Sequence, residues 1–202
     1  MRLDQLMLES LQGMAAVGVF AVASRLSEAW YFIPVSLVAS AFPKILPNRN
    51  RPDVYYAQIS KLMVALVGMS YMAGIAATTL GRPIVEWLYG SAYAESAAIL
   101  AIHIWCGLFV GLGQVSGAWL SAERKLAINL QRNLFGLLIN IPLNYILIPR
   151  FGPVGAAWGT LGAMTCAWYL FDLINPLTRR MFFIKSRALI LLPQRTRAAS
   201  NV

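Results

Sequence analysis

The sequence predicts an all-α protein that crosses a membrane several times, and three observations support this. Hydrophobic residues make up 58% of its 202 residues, and only 12% are charged, whereas about 25% are charged in an ordinary soluble domain. Charged residues are absent from several stretches long enough to span a membrane. The number of basic residues alternates between high and low from one connection to the next, as the positive-inside rule requires. A soluble globular fold is therefore disfavoured.

Four stretches contain no Asp, Glu, Lys or Arg: residues 62–81, 96–122, 133–149 and 151–171. A helix rises 1.5 Å per residue, so each stretch is long enough, or nearly so, to cross a hydrocarbon core about 30 Å thick. Each of the four is therefore predicted to form a spanning helix.

The N-terminal part contains two shorter apolar runs, residues 10–24 and 29–43, with a short charged segment between them. Each run reaches only about 22 Å as a helix, so neither spans the membrane alone. We predict one long helix over residues 13–42, kinked at Pro34. Two short interfacial helices are the alternative, because charges inside a membrane are rare.

The distribution of Lys and Arg predicts the topology. The connections contain four in residues 44–61, one in 82–95, three in 123–132, one at Arg150 and six after residue 172. Since Lys and Arg accumulate in cytoplasmic loops, the first, third and fifth of these segments are cytoplasmic. This gives about five spans with a cytoplasmic C-terminus, and the net charge of +9 indicates topology rather than nucleic-acid binding.

The topology divides the chain into three regions. Residues 1–12 lie on the outer side and are predicted to be the outer end of a truncated helix, with an earlier helix before it. Residues 13–178 form a five-helix transmembrane lobe, and residues 179–202 form a basic cytoplasmic tail. We expect a frayed tail, with an amphipathic segment on an anionic leaflet as the alternative.

Two parts of the sequence contain motifs of a known family. The first is residues 17–28 (VGVFAVASRLSE), followed by Phe42-Pro43. The second is residues 143–149 (LNYILIP), followed by Phe151-Gly152 and residues 155–157 (GAA). They resemble the second helix of a lobe, and the eleventh and twelfth helices, of the oligosaccharide flippases of the polysaccharide-biosynthesis (O-antigen exporter) family.

The resemblance runs from about Asp4 to Arg180 and implies one lobe of a two-lobed exporter fold, comprising the end of helix seven and helices eight to twelve. It implies translocation of undecaprenyl-pyrophosphate-linked oligosaccharide repeat units across the bacterial inner membrane, for O-antigen, lipopolysaccharide or other surface polysaccharide biosynthesis. The implied partners are the lipid-linked oligosaccharide, the bilayer, and a missing N-terminal lobe or a second copy of the chain. An exporter of peptidoglycan precursors or drugs and a non-transporting scaffold remain alternatives.

An enzyme is not expected, because general acid and base catalysis needs closely placed ionisable groups. The acidic residues between and after the spans are dispersed on different sides of the predicted membrane: Glu86, Glu95, Glu123 and Asp172.

Arg25 and Glu28 are the first candidates for a substrate cavity. On the long-helix prediction Arg25 lies about 18 Å from the outer end, where a charge normally faces a bundle interior or a water-filled cavity. Its guanidinium group suits the oxygens of a pyrophosphate. A local pair between the two side chains and snorkelling of Arg25 are the alternatives, and Glu28 could instead couple protons to transport.

Four further polar residues are candidates. Asn140 and Asn144 lie one turn apart on one helix face, where they would line a glycan path or hydrogen-bond between helices. Asp4 is a weaker candidate, at the cavity mouth if the resemblance holds and otherwise at a solvated terminus. His103, the single histidine, is a weak candidate for a proton relay, with a packing role as the alternative.

The remaining conspicuous residues are predicted to serve packing. Cys106 and Cys166 lie in apolar runs without metal-ligand spacing, so no metal or cofactor is expected. Glycine pairs at a spacing of four predict close helix contacts: Gly107/Gly111, Gly113/Gly117 and Gly155/Gly159.

Overall fold

The computed structural model describes residues 3–194, and this part of the chain is helical without a strand. The helices are α1 (Leu3–Gln12), α2 (Met14–Ile45), α3 (Pro52–Tyr89), α4 (Ser96–His103), α5 (Cys106–Ala122), α6 (Leu126–Thr165), α7 (Phe171–Ile174) and α8 (Arg179–Leu189). A π-helical turn, Cys166–Leu170, joins α6 to α7. Two 3-10 turns, Leu46–Asn50 and Ser91–Tyr93, follow α2 and α3.

The predicted fold class, an all-α polytopic membrane protein, is confirmed. Within the described residues, four helical segments are long and apolar enough to span a membrane: Met14–Asn50, Pro52–Tyr89, Ser96–Ala122 and Leu126–Ile174. The first contains the charged pair that made a single long helix uncertain, yet α2 continues through it. The alternative of two short interfacial helices is therefore wrong.

The fourth segment folds back on itself at Gly152, whose backbone (φ 56°, ψ −138°) lies outside the helical region and in a conformation that L side chains rarely adopt. Beyond this residue the chain packs against the part that precedes it. Gly155 lies against the carbonyl of Leu147, and a Cβ on Gly136 would lie 2.8 Å from the Cβ of Ala167. Residues close to Gly152 in the sequence contact each other, and residues farther before it contact residues farther after it. The segment is therefore an antiparallel helical hairpin.

This hairpin has a first arm, residues 126–151, and a second arm, residues 153–174. The two arms correspond to the charge-free stretches predicted as separate spans, and together with the other three segments they give five passes. Pro153 opens the second arm, where its missing N–H and fixed φ are tolerated. The glycine and proline together account for a tight reversal within one apolar segment.

Two apolar clusters hold the lobe together. One joins the ends of α2 and α5 to the start of α3 and to α8, with Met63, Leu112 and Leu120 fully buried. The other joins α1, α4 and the outer ends of α2 and α3 to the hairpin, with Leu8 and Ile148 fully buried. The first cluster lies at the predicted cytoplasmic end and the second at the outer end.

Residues 179–194, expected to be a frayed tail, are instead packed against the lobe. Met181, Ile184 and Ala188 form a buried face of α8, and Lys185 on the same helix forms a buried ion pair. The expectation of fraying overlooked that these apolar residues recur at helical spacing. Residues 195–202 of the predicted tail lie outside the described part of the chain.

Candidate functional site

A groove runs along α2, with α5 as its floor and the hairpin as its opposite wall. It comprises two adjoining cavities, of about 530 and 440 Å³. The mid-membrane cavity is lined by Glu28, Tyr31, Phe32, Val35, His103, Val110, Thr160, Met164 and Trp168. The cytoplasmic cavity is lined by Val35, Val38, Ala39, Phe42, Pro43, Gln114, Gly117, Ala118, Ser121 and Asn129. We call the two together the α2 groove.

The floor of the α2 groove owes its shape to glycines of α5. A Cβ on Gly107 would lie 3.0 Å from the ring of Tyr31, and one on Gly113 would lie 2.8 Å from the ring of Trp168. The two aromatic rings therefore pack directly on the helix backbone. Larger residues at these positions would push both walls apart and change the width of the groove.

The polar end of the mid-membrane cavity is built around His103. The Tyr31 hydroxyl donates a hydrogen bond to the His103 carbonyl at 2.7 Å and lies 3.3 Å from its Nδ1. The imidazole packs edge-on against Phe20, with ring centroids 5.7 Å apart, and is almost fully buried. His103 is thus a packed side chain at the cavity wall, and Thr160 adds a hydroxyl across from it.

Arg25 and Glu28 lie on the exposed side of α2, near its midpoint. Neither takes part in the ion pairs found within residues 3–194, so the predicted local pair between them is not formed. Glu28 lines the mid-membrane cavity, and Arg25 lies one turn farther toward the outer end. Two charges without an ion-pair partner in the described residues thus lie near the middle of a spanning helix, and one of them, Glu28, lines the groove.

Asp4, Asn140 and Asn144 meet between α1 and the first arm of the hairpin. The Asn144 amide donates hydrogen bonds to Asp4 Oδ1 at 2.5 Å and to Asn140 Oδ1 at 3.2 Å. All three side chains are buried inside the lobe, and Gly159 of the second arm lies directly against Asn144. The structure therefore places Asp4 neither at a cavity mouth nor at a solvated terminus, and the two amides link helices away from the groove.

Sequence reasoning missed a second buried polar cluster, at the end of the hairpin remote from Gly152. Asp172 accepts hydrogen bonds from Arg132 at 2.5 Å and from Lys185 Nζ at 2.7 Å. Arg132 also donates to the Ser116 hydroxyl at 2.9 Å, and Lys185 donates to the Trp168 carbonyl. Asp172 is therefore not one of several isolated acids but the centre of a network joining α5, both arms and α8.

The cluster holds two cations and one anion, all with side chains at most 1% exposed. Burial lowers the pKa of Lys185 to about 8, although the neighbouring Asp172 acts in the opposite direction. The Trp168 carbonyl that accepts from Lys185 belongs to the π-helical turn Cys166–Leu170. The signal in the sequence was that single charges flank two charge-free stretches, with Arg132 directly before residues 133–149 and Asp172 directly after residues 151–171.

Within the described residues, no group of three or more His, Cys, Asp or Glu is placed to hold a metal ion. Cys106 is buried and Cys166 is partly buried, both as free thiols. The candidate site of this part of the chain is therefore a groove with polar and charged side chains along an apolar wall.

Comparisons with known proteins show similarity to two curated proteins. A capsular polysaccharide biosynthesis protein, CapF, of Staphylococcus aureus is 24% identical over 159 residues, which make up 77% of this chain and 40% of that protein. A probable flippase, AglR, of Haloferax volcanii is 27% identical over 169 residues, 81% of this chain and 35% of that protein. No family model matches the chain, and no solved structure matches it. The chain spans well under half the length of these relatives.

Proposed function

We propose that this chain is one lobe of a membrane transporter that translocates a lipid-linked oligosaccharide for polysaccharide biosynthesis. The observation that carries the proposal is the presence of two exposed charges near the middle of α2, Arg25 and Glu28, which form no ion pair within residues 3–194 and of which Glu28 lines the α2 groove. A charge at that depth is retained where it faces water or a polar partner rather than lipid tails. The similarity to CapF and AglR supports a polysaccharide-related flippase-like role.

The groove suits a long amphiphilic substrate. Its wall and floor are mostly apolar, with Phe32, Val35 and Val110 among the lining side chains, whereas hydroxyl and amide groups lie at intervals along it. Such a surface passes an uncharged glycan without holding it tightly, and the Arg25 guanidinium provides paired donors for phosphate oxygens. In the proposed transporter, a second lobe or a second copy of the chain closes the groove from the α2 side.

The proposal is tested by measuring how much lipid-linked oligosaccharide reaches the outer leaflet in cells that express the chain with its complementing lobe. Arg25→Ala is expected to reduce export at least about tenfold, the effect of one charge-assisted hydrogen bond. Arg25→Lys keeps the charge and is expected to retain part of the activity. Arg51→Ala, an exposed arginine at the start of α3, serves as the matched control.

Wild-type export by Arg25→Ala, at equal abundance in the membrane, would refute substrate contact by this residue. Loss of export in Arg51→Ala as well would indicate a general effect of cationic charge on membrane insertion. Export that requires the complementing lobe distinguishes a transporter half from a scaffold that only packs against partners.

Export of a cationic drug is a second candidate, favoured by one observation. Glu28, and not Arg25, lines the mid-membrane cavity, and a carboxylate there would attract a cation. If this activity is correct, Glu28→Gln abolishes the efflux of a cationic dye while Arg25→Ala leaves it intact. If instead Arg25→Ala abolishes glycan export and Glu28→Gln leaves it intact, the result supports the lipid-linked oligosaccharide as the substrate.

A further inference from the structure

A separate cavity of about 620 Å³ lies at the cytoplasmic end of the lobe, away from the α2 groove. It is formed by the first turns of α3, by α8 and by the four residues that end the described chain. We call it the basic cavity. It is lined by Asp53, Tyr56, Arg180, Arg187, Ile190, Leu192, Pro193 and Gln194.

The path of α8 places this cavity beside the first half of α3, whose start is predicted to be cytoplasmic from the basic residues of 44–61. The Tyr71 hydroxyl, in an apolar part of α3, donates to the Leu189 carbonyl at 2.7 Å. The chain then turns at Leu191, in the left-handed conformation with φ 56°. Five residues after Leu189, the backbone N–H of Gln194 donates to the Ser60 hydroxyl at 2.8 Å. Ser60 lies nearer the start of α3 than Tyr71 does. The segment thus runs along α3 from its cytoplasmic end and returns toward that end.

Two arginines on one face of α8 supply the positive charge of the cavity. The Arg180 guanidinium carbon lies 3.4 Å from the centre of the Tyr56 ring, which holds the planar group in a fixed orientation. Arg187 lies two turns farther along the same helix face, and both side chains are exposed. Neither is in an ion pair within residues 3–194, and Asp53 is the single acid in the lining.

Apolar side chains complete the lining next to the two arginines. Ile190 and Leu192 are 65% and 58% exposed, a large apolar surface beside two guanidinium groups. A polar anion alone would leave this surface in water, whereas a lipid would cover it with an acyl chain while its headgroup contacts the arginines. The cytoplasmic leaflet carries anionic lipids, which attract basic residues at its surface.

We propose that the basic cavity binds the phosphate group of a membrane lipid in the cytoplasmic leaflet. Arg180 and Arg187 donate hydrogen bonds to the phosphate oxygens, as guanidinium groups do in paired geometry. The acyl chain lies over Ile190 and Leu192. The phosphate belongs either to a phospholipid diester or to the pyrophosphate of a polyprenyl carrier. The site does not depend on transport through the α2 groove.

Lipid binding to the full chain in neutral detergent tests the proposal, with native mass spectrometry as the measurement. Phosphatidylglycerol is expected to bind at least about five-fold more tightly than phosphatidylcholine with the same acyl chains. Arg180→Gln and Arg187→Gln are each expected to weaken phosphatidylglycerol binding about five-fold, and the double variant about thirty-fold. Arg179→Gln is the matched control, because its side chain contacts the Leu173 carbonyl outside the cavity and should change binding less than about twofold.

Equal weakening in Arg179→Gln would indicate diffuse surface electrostatics and would overturn the proposal, as would unchanged binding in the double variant. A melting curve of each variant without lipid shows whether α8 stays folded. If Arg180→Gln unfolds because its contact with Tyr56 is lost, Arg187→Gln alone decides the outcome. Displacement of phosphatidylglycerol by a polyprenyl pyrophosphate identifies the carrier as the ligand, and lack of displacement identifies the phospholipid. Both results are obtained without a transport assay, so failure of the proposed function leaves them unaffected.

Discussion

Replacing Asp172 tests the buried cluster most severely. Within residues 3–194 Asp172 is the only anion paired with Arg132 and Lys185, and all three side chains are almost fully buried. Asp172→Asn leaves two buried cations without a counter-charge. Breaking a buried ion pair by removing one partner costs about 3 to 5 kcal/mol, so the free energy of unfolding should fall by about that amount.

Removal of a cation from the same cluster should cost much less. Lys185→Met leaves the pair between Arg132 and Asp172 and removes the excess positive charge, although Asp172 Oδ2 and the Trp168 carbonyl both lose this donor. The expected loss is about 2 kcal/mol, at about 1 kcal/mol for each of the two hydrogen bonds. Asp172→Asn is expected to be the more destabilising variant because the cluster has a net positive charge, and not because it loses more hydrogen bonds.

The assay is unfolding of the purified chain in mixed micelles, followed by tryptophan fluorescence, with limited proteolysis to detect detachment of α8. Glu123→Gln is the control, because its partner Arg49 is 47% exposed and such surface pairs contribute about 1 kcal/mol or less. If Lys185→Met proved as destabilising as Asp172→Asn, the balance of charges in the cluster would not be what stabilises it.

Three further predictions follow from single positions. Gly155→Ala should destabilise the hairpin by about 1 to 3 kcal/mol, because its Cβ would meet the backbone of the first arm. Gly18→Ala, with open space around it, should instead stabilise α2 by about 0.5 to 1 kcal/mol. Thermal unfolding of the two variants measures both effects. Leu191→Gly and Arg124→Gly should each stabilise the chain by about 1 kcal/mol, because both residues have a positive φ; a loss of stability in either would contradict this. Between pH 8 and the ordinary lysine value of 10.5 the unfolded chain retains a proton that Lys185 loses when folded, so stability should rise with pH, and this rise should be absent in Lys185→Met.

The fold was largely predictable from the sequence, because membrane spans are marked by the absence of charge. The charge-free runs between residues 62 and 171 each lie in a helical pass, whereas the sidedness of the basic loops stays a prediction. Arg150, which separates two charge-free stretches, marked the connection at which the hairpin reverses. What these patterns did not predict is the packing of α8, because short amphipathic segments are similar in composition to solvated basic tails.

The candidate site was predictable only in part. Arg25 and Glu28 stood out because isolated charges in an apolar helix are conspicuous; Glu28 lines the α2 groove, and Arg25 lies one turn away from it on the exposed side of α2. Asn140 and Asn144 were correctly placed on one helix face. The sequence did not predict that α1 covers this face and that Asp4 accepts a hydrogen bond from Asn144. The partnership of Arg132 with Asp172 joins residues 40 positions apart, and no periodicity in the sequence reports such a contact.

The central claim is that the α2 groove borders an aqueous path and not lipid. Single cysteines in a Cys106→Ala, Cys166→Ala background would be labelled from the water phase with a charged maleimide in native membranes. Val35→Cys lies in the groove, and Met72→Cys, at a residue 74% exposed on α3, lies at a similar depth on another face. The account predicts that Val35→Cys is labelled and Met72→Cys is protected. Protection of both positions, or labelling of Met72→Cys alone, would contradict it.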